Sequence, residues 1–276
     1  MPELPEVETI ARQLSLVLKK QKLVDLTIND SKLRAFSSET LRNKQLLQVK
    51  RSGKEVLLVF ADDLYLRIHL RMTGRLVWIA GKKRIDSSSI LLRKGSTDLR
   101  PKSIRAEFFF NNGTLFFEDV RRFGTFKLDF ESIQGNWIDP TTEQFTVEVL
   151  TKLVENSKQQ IKTWLLRQDK LVGIGNIYAS EILFRSGVHP HRSAGSLKKE
   201  EIQNMHSATK YILHKAIKLN GTTFSDYRDS EGETGAFQKF LAVYNREDEK
   251  CRRCKNKVIC IRQGQRSTYF CGRCQK

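Results

Sequence analysis

Four of the chain's five cysteines stand as two pairs, Cys251-x2-Cys254 and Cys271-x2-Cys274, with sixteen residues between the pairs. That spacing suits a structural zinc site of four thiolates. The intervening residues fit a strand, a turn at Gln263-Gly264-Gln265 and a returning strand, so both knuckles would meet at one end of a hairpin. A tail this short could hardly fold without its metal, and one structural Zn2+ is expected. Cys260 falls outside the pattern and reads as a packed residue. Arg252, Arg253, Lys255, Lys257, Arg262, Arg266 and Arg273 crowd the same module, which suits it to grip a phosphate backbone. No aromatic-rich helix is available there to read bases.

At the other end, Pro2 and Glu3 precede a run that begins at Leu4. Pro5 suits a first helical position, acids fill the first turn, and Val7, Ile10, Leu14 and Leu18 recur at helical spacing. Taken alone, Glu3 and Glu6 read as acids complementing a helix dipole. A residue as small as Pro2 permits removal of Met1, which would expose a secondary amine.

Lys and Arg total 49 against 31 Asp and Glu, a formal charge of +18 that suits a polyanionic partner, with nucleic acid ahead of an anionic membrane surface. No apolar run approaches the roughly 20 residues that span a bilayer, and acids stand where a secretory signal would be basic. Cytoplasmic residence and no membrane partner are expected. Confinement of the cysteines to the last 26 residues fits a metal site in a reducing compartment better than a disulfide framework.

Between these ends, residues 23 to 130 carry short β-rich runs: Leu46 to Val49, Val56 to Phe60, Leu64 to Leu70, Glu107 to Phe110 and Leu115 to Phe117. Asn111-Asn112-Gly113 signals a hairpin. A β-sandwich or barrel covered at one end by the first helix follows. Residues 81–105 read as a long basic loop, and Ser132 to Thr142 as a linker, because helical patterns dominate afterwards. There, Ser157 can cap a helix carrying Ile161 and Leu165. The break at Gly173-Ile174-Gly175-Asn176 precedes a helix from Ile177 to about Arg185, ended by Gly187 and Pro190. A longer helix with Ile202, Met205, Ile212, Leu213 and Ile217 runs towards Gly221.

Met1-Pro-Glu-Leu-Pro-Glu-Val-Glu, His69-Leu-Arg-Met-Thr-Gly74, Arg121-Arg-Phe-Gly124, Gly173-Ile-Gly-Asn-Ile-Tyr-Ala-Ser-Glu181 and the zinc ribbon together resemble the bacterial formamidopyrimidine-DNA glycosylases, in that family's order and across nearly the whole chain. The resemblance implies an α+β chain: an N-terminal β-sandwich with a leading helix (1–131), a linker (132–142), a helix-two-turn-helix domain with a lesion lid (143–236) and a β-hairpin zinc ribbon (237–276). It implies a bifunctional base-excision repair enzyme, glycosylase and AP lyase, that acts on oxidised purines in double-stranded DNA.

By the same resemblance, the Pro2 amine is the nucleophile at sugar C1′. An α-amine has a pKa near 8, roughly two units below lysine, and a helix N-terminus depresses it further. Glu3 would protonate the opening sugar ring, Glu6 would help near the base, and Lys54, on the turn after Arg51-Ser52-Gly53, would contact phosphate or lesion. His69 is implied as a phosphate ligand, although a satisfied strand histidine is the plainer reading. Met72, Arg121 and Phe123 would fill the gap left by an extruded nucleotide, Arg121 bonding the orphaned base; on composition alone Met72 and Phe123 would be core residues. Asn176 would hold phosphate at a helix start, or simply cap it. Arg266 is implied as the finger arginine, and Gly221 to Gly235 as the lid.

Departures stand beside these matches. Lys102 is followed by Ser103 where many members have Lys-His, and Arg167 stands where an acid is common, with Asp169 close by. The rival readings are the sister endonuclease VIII type, which uses the same proline on oxidised pyrimidines, and a noncatalytic DNA-binding protein. No heptad pattern signals an oligomer, so a monomer is expected.

Overall fold

The computed structural model describes residues 1–81, 83–86, 102–131, 135–222 and 236–276. Most of the basic 81–105 stretch, the lid beyond Thr222, and Ser132 to Gln134 of the linker lie outside the described residues. The chain forms two compact units, Met1–Gln134 with Leu219–Ala236 and Gly135–Lys218 with Phe237–Lys276. Leu219 to Thr222 therefore part from the helical segment to which the sequence reading assigned them.

In the first unit, helix α1 (Leu4–Leu18) buries Leu4, Val7, Ile10, Leu14 and Leu18, one apolar stripe at three- and four-residue steps. Nine strands follow among the described residues: β1 (Leu23–Ile28), β2 (Leu46–Ser52), β3 (Glu55–Phe60), β4 (Leu64–His69), β5 (Gly74–Ala80), β6 (Lys83–Asp86), β7 (Ile104–Phe110), β8 (Gly113–Asp119) and β9 (Thr125–Asp129). They pair antiparallel in two sheets, β1-β7-β8-β5-β6 and β2-β3-β4-β9. Leu66, Ile68 and Phe126 from one sheet and Leu76, Phe108 and Phe117 from the other share a single core, so the arrangement is a sandwich, not a closed barrel. Helix α1 packs on β2 and β3. The five β-rich runs all become strands, and β1, β5, β6 and β9 are additions.

The hairpin expected at Asn111-Asn112-Gly113 joins β7 and β8. Phe110 pairs with Gly113, so Asn111-Asn112 form the turn and the glycine opens β8. A Cβ at Gly113 would stand 2.5 Å from the Ile79 carbonyl oxygen and 2.6 Å from the Trp78 ring. The glycine is required by close approach to β5, not by the turn.

The second unit holds α2 (Val147–Val154), α3 (Ile161–Leu165), α4 (Asn176–Ser186), α5 (Lys199–Lys218) and a hairpin of β10 (Ile259–Gln263) and β11 (Arg266–Phe270). Thr146, not anticipated, caps α2 by accepting the Val149 N–H at 3.2 Å. The expected Ser157 cap is absent: Gln160 precedes α3, and Ser157 lends its carbonyl to the Ser193 hydroxyl at 2.8 Å. Gly187 ends α4 in the left-handed region, φ 77°, where a side chain would be strained. The later part of the expected linker is tied down within this unit, since Ile138 N–H donates to Lys170 O at 2.8 Å and Ile138 O accepts from Val172 N–H at 3.0 Å. No helix among the described residues is long and apolar enough to cross a membrane.

Candidate active site and nucleic-acid interface

Pro2 and Glu3 lead directly into the N-terminus of α1, where unsatisfied N–H groups concentrate positive potential. The Glu3 N–H donates to Glu6 Oε2 at 2.8 Å, the return half of a capping box. Glu6 Oε1 accepts the Thr222 N–H at 2.8 Å and its hydroxyl at 3.1 Å. A buried carboxylate thus holds the backbone next to Pro2 and ties it to Thr222. Gly221 answers to the same carboxylate: a Cβ there would lie 2.5 Å from Glu6 Oε1. Both oxygens of Glu6, the residue expected to help near the base, are thus engaged by backbone and hydroxyl groups of this unit.

Lys54 sits with Gly53 in the two-residue turn between β2 and β3, Gly53 taking φ 57° as a tight hairpin demands. Arg51, at the end of β2, donates through Nε to Glu8 of α1 at 2.9 Å, which pins the helix to this hairpin. Glu3 and Lys54 are both buried, unusual for charged groups outside a functional or paired setting.

His69 closes β4 on the strand face that also carries Tyr65 and Arg67, opposite the core face of Leu64, Leu66 and Ile68. Its Nδ1 accepts the Arg71 N–H at 3.0 Å, which leaves Nε2 as the protonated donor. Burial, with the charges of Arg71, Lys54 and Arg67, holds its pKa down to about 4. It is a neutral N–H donor at neutral pH, a character compatible with a phosphate or sugar oxygen.

Met72 and Phe123 are not core residues. Each is 47% exposed, and each rides on a turn forced by backbone geometry. Around Met72, Arg71 takes φ 53° and the Gly74 N–H closes on Leu70 O at 2.9 Å; a Cβ on Gly74 would strike that oxygen at 2.4 Å. Around Phe123, the buried Asp119 carboxylate accepts N–H groups from Arg121 at 3.2 Å, Phe123 at 2.8 Å and Gly124 at 2.7 Å. Asp119 also takes the Thr73 hydroxyl, so one carboxylate joins both turns. The Arg121 guanidinium stacks on the Phe123 ring at 4.5 Å. Arg122 takes φ 57° and grips buried Asp30 through two nitrogens, each at 2.7 Å, holding that carboxyl down to about 2. Asp119 and Asp30 were not singled out from the sequence.

In the second unit, Asn176 is the first residue of α4 and Gly175 is its cap, so the capping reading of Asn176 fails. Its Nδ2 donates to Ser267 O at 3.0 Å, while its Oδ1 is buried with no hydrogen-bond partner. Lys162 reaches the same Ser267 carbonyl at 2.9 Å and the Thr268 hydroxyl at 2.6 Å, although it is only 1% exposed. These bonds fix β11 beside Arg266, which stands exposed after the Gly264-Gln265 turn, both residues left-handed at φ 53° and 63°. Asn176 and Lys162, a lysine that no motif flagged, thus both hold the carbonyl of Ser267, the residue after Arg266. Glu181, which ends the Gly173-to-Glu181 motif and was given no role there, accepts N–H groups from Ala242, Val243 and Tyr244 at 2.8 to 2.9 Å; burial raises its pKa in spite of them.

The sulfur atoms of Cys251, Cys254, Cys271 and Cys274 lie within 4.8 Å of one another. Cys251 and Cys274 are 3.9 Å apart and Cys254 and Cys271 3.5 Å, close to the roughly 3.8 Å edge of a tetrahedron with 2.3 Å zinc–sulfur bonds. Burial and the neighbouring sulfurs push the Cys274 thiol up to about 12, whereas the Asn256 N–H draws Cys254 down to about 7. Four such thiols ionise together only around a cation. The quartet fits a structural zinc, and Val243, Val258 and Phe184 pack around it. Cys260 pairs across the hairpin with Tyr269 and is part-buried, outside the quartet. Arg167 and Asp169, the departure noted above, form an exposed ion pair with each other.

Residues 1–126 match the model of the formamidopyrimidine-DNA glycosylase N-terminal domain, 138–228 that of the formamidopyrimidine-DNA glycosylase H2TH domain, and 248–276 that of the zinc finger found in FPG and IleRS. A formamidopyrimidine-DNA glycosylase of Pelotomaculum thermopropionicum is 37% identical over 290 residues, covering 100% of this chain and 99% of its own. The wild-type Lactococcus lactis Fpg in complex with an N7-Benzyl-Fapy-dG containing DNA superposes with a TM-score of 0.85 at 30% identity, over 100% of both chains. The Lactococcus lactis Fpg bound to an abasic site containing DNA gives 0.82 at 31%, over 99% of both.

Proposed function

The chain belongs to the formamidopyrimidine-DNA glycosylase family, and from that premise we propose that it excises oxidised purines, 8-oxoguanine and formamidopyrimidines, from duplex DNA and then cuts the strand through an imine on Pro2. The observation that carries the reading is the anchored start of α1: Glu6 holds the Glu3 backbone, so the amine exposed by loss of Met1 sits at a helix N-terminus next to buried Glu3. That setting favours free amine at neutral pH and fixes its direction.

In this mechanism the Pro2 nitrogen lone pair bonds to C1′ and the bond from C1′ to the base breaks, the base leaving with the electron pair. The proton on the new C1′–N bond passes to the departing base, which restores the nitrogen lone pair; Glu3 gives its proton to the ring oxygen as the C1′–O4′ bond opens, and that lone pair forms the C=N⁺ bond. The iminium acidifies C2′–H; a base takes that proton and the 3′ phosphate leaves. A second elimination releases the 5′ phosphate, and water frees the amine. Met72, Phe123 and Arg121 fill the space of the extruded nucleotide; His69, Lys54, Asn176 and Arg266 take phosphates. The zinc site shapes the ribbon that presents Arg266 and supplies no step.

The test is a labelled duplex carrying 8-oxoguanine opposite cytosine, resolved by termini. Native protein is expected to leave phosphate at both ends of a one-nucleotide gap, and Pro2→Gly to cut far more slowly. Cutting only of oxidised-pyrimidine duplex would move the protein to the sister specificity.

A further inference from the structure

At the C-terminal end of α4 a cavity of about 220 Å³ opens between α4, α5 and the first zinc knuckle. Arg185, Lys215, Arg252 and Arg253 line it with Tyr211 and Phe240, and none of these four cations is ion-paired to a carboxylate among the described residues. Glu181 also lines it, its oxygens committed to the three N–H groups of residues 242–244. Tyr211 and Phe240 are 44% and 45% exposed, uncommon for rings of their size. Beyond the cavity, Lys210, His214 and Lys218 continue a basic row at four-residue steps along α5, over roughly 12 Å at 1.5 Å per residue. The acids of that helix, Glu200 and Glu201, lie in its first turn, at the far end.

Dipole complementation accounts for Arg185 and Lys215, each near the end of its helix. It does not account for Arg252 and Arg253, which come from the ribbon and are held in place by single bonds to carbonyls, Arg252 to Lys239 O at 3.0 Å and Arg253 to Arg185 O at 2.8 Å. Arg253 also lies over the Phe184 ring at 4.6 Å, and both arginines are exposed to solvent. The cavity also stands at the end of α4 opposite Asn176, roughly 14 Å away along the helix, so it is separate from the expected phosphate contacts.

We propose that this cavity and the basic row of α5 form a docking site for an acidic peptide of a partner protein, one bulky apolar side chain seated between Tyr211 and Phe240 and its carboxylates spread over Arg252, Arg253, Lys215 and the α5 row. A peptide fits better than single-stranded nucleic acid. Arg185 lies 3.6 Å over Tyr211 and Lys215 3.7 Å over Phe240, so each ring is flanked by a cation, which suits an apolar side chain with carboxylates next to it in sequence. Ile212 and Phe184 line the socket with apolar surface, and forked guanidinium groups suit carboxylates.

The test uses the full-length zinc-loaded protein and fluorescein-labelled probes in an anisotropy titration: a hexapeptide of four aspartates followed by leucine and phenylalanine, the same peptide ending in two glycines, and a thymidine hexamer. The apolar-ended peptide is expected to bind at least tenfold more tightly than either control, to weaken with salt, and to lose about tenfold on Lys215→Glu or Phe240→Ala, each of which alters one side chain outside the buried core. Both variants are expected to keep native nicking rates and zinc content, which reports that the fold is intact. Equal binding of the glycine-ended peptide, tighter binding of the thymidine hexamer, or unchanged affinity in both variants would overturn the proposal.

Discussion

Replacing Glu6 with glutamine tests whether that residue positions the nucleophile or transfers protons. In the native protein both carboxylate oxygens are occupied, Oε2 by the Glu3 N–H and Oε1 by the Thr222 N–H and hydroxyl. Glutamine keeps the shape but offers one acceptor, so its NH₂ faces either the Glu3 or the Thr222 N–H, donor against donor. A hydrogen bond to a charged group contributes about 1.5–3 kcal/mol, and an unmade buried one costs about as much. Taking about 2 kcal/mol, released only when Pro2 sits correctly at C1′, the rate of base release falls about 30-fold. The assay is single-turnover excision from an 8-oxoguanine duplex from pH 5.5 to 9, with hydrogen exchange of the first α1 amides in parallel. A positioning residue lowers the whole pH profile without changing its shape, and loosens those amides. Loss of one limb of the profile would make Glu6 a proton carrier. A rate within twofold of native, with protected α1 amides, would refute the reasoning altogether.

Further outcomes follow from the same geometry. His69, held down to about 4, is expected to show no imidazole titration by NMR between pH 8 and 5.5. Because the unfolded chain binds this proton from about 6.5, the residue withdraws stability as pH falls from 6.5 to 4; a folded-state midpoint near 6.5 would contradict the burial argument. Asp30, held down to about 2 by the Arg122 fork, contributes stability that is complete above its unfolded value of 3.8 and is lost as pH falls through 2. Its carboxyl carbon is expected to titrate near 2 in native protein and near the ordinary value in Arg122→Gln. Removing the metal with a chelator is expected to release one zinc per chain, unfold residues 251–276 and abolish DNA binding by the ribbon, with β-sheet circular dichroism of the first unit retained. Full DNA affinity after zinc loss would contradict the role given to Arg266.

What the sequence made legible was local. The cysteine quartet is a spacing, the α1 stripe a period, and the Gly264-Gln265 turn a pair of residues that accept positive φ; each survives in the structure because neighbours in sequence decide it. Met72 and Phe123 show the limit: apolar residues at strand ends read as core, and only the turn geometry set by Gly74 and Asp119 puts them in solvent. The roles of Lys162, Glu181 and Asp30 were invisible because their partners lie 106, 62 and 92 residues away. Nothing in a helical or strand period says which buried charge will be met by a distant carbonyl or amide. The Asn111-Asn112-Gly113 signal does give the β7–β8 hairpin, but a local turn signal says nothing of the close approach of strand β5 to Gly113.

The central claim, that the Pro2 amine forms the bond to the sugar, is tested most directly by borohydride reduction during reaction with an 8-oxoguanine duplex, followed by digestion and mass spectrometry of the trapped protein. The account predicts one adduct, on the peptide that begins at Pro2 with Met1 absent, and none when Met1 is retained. An adduct on any lysine, Lys54 above all, or excision without a trappable adduct, would contradict it.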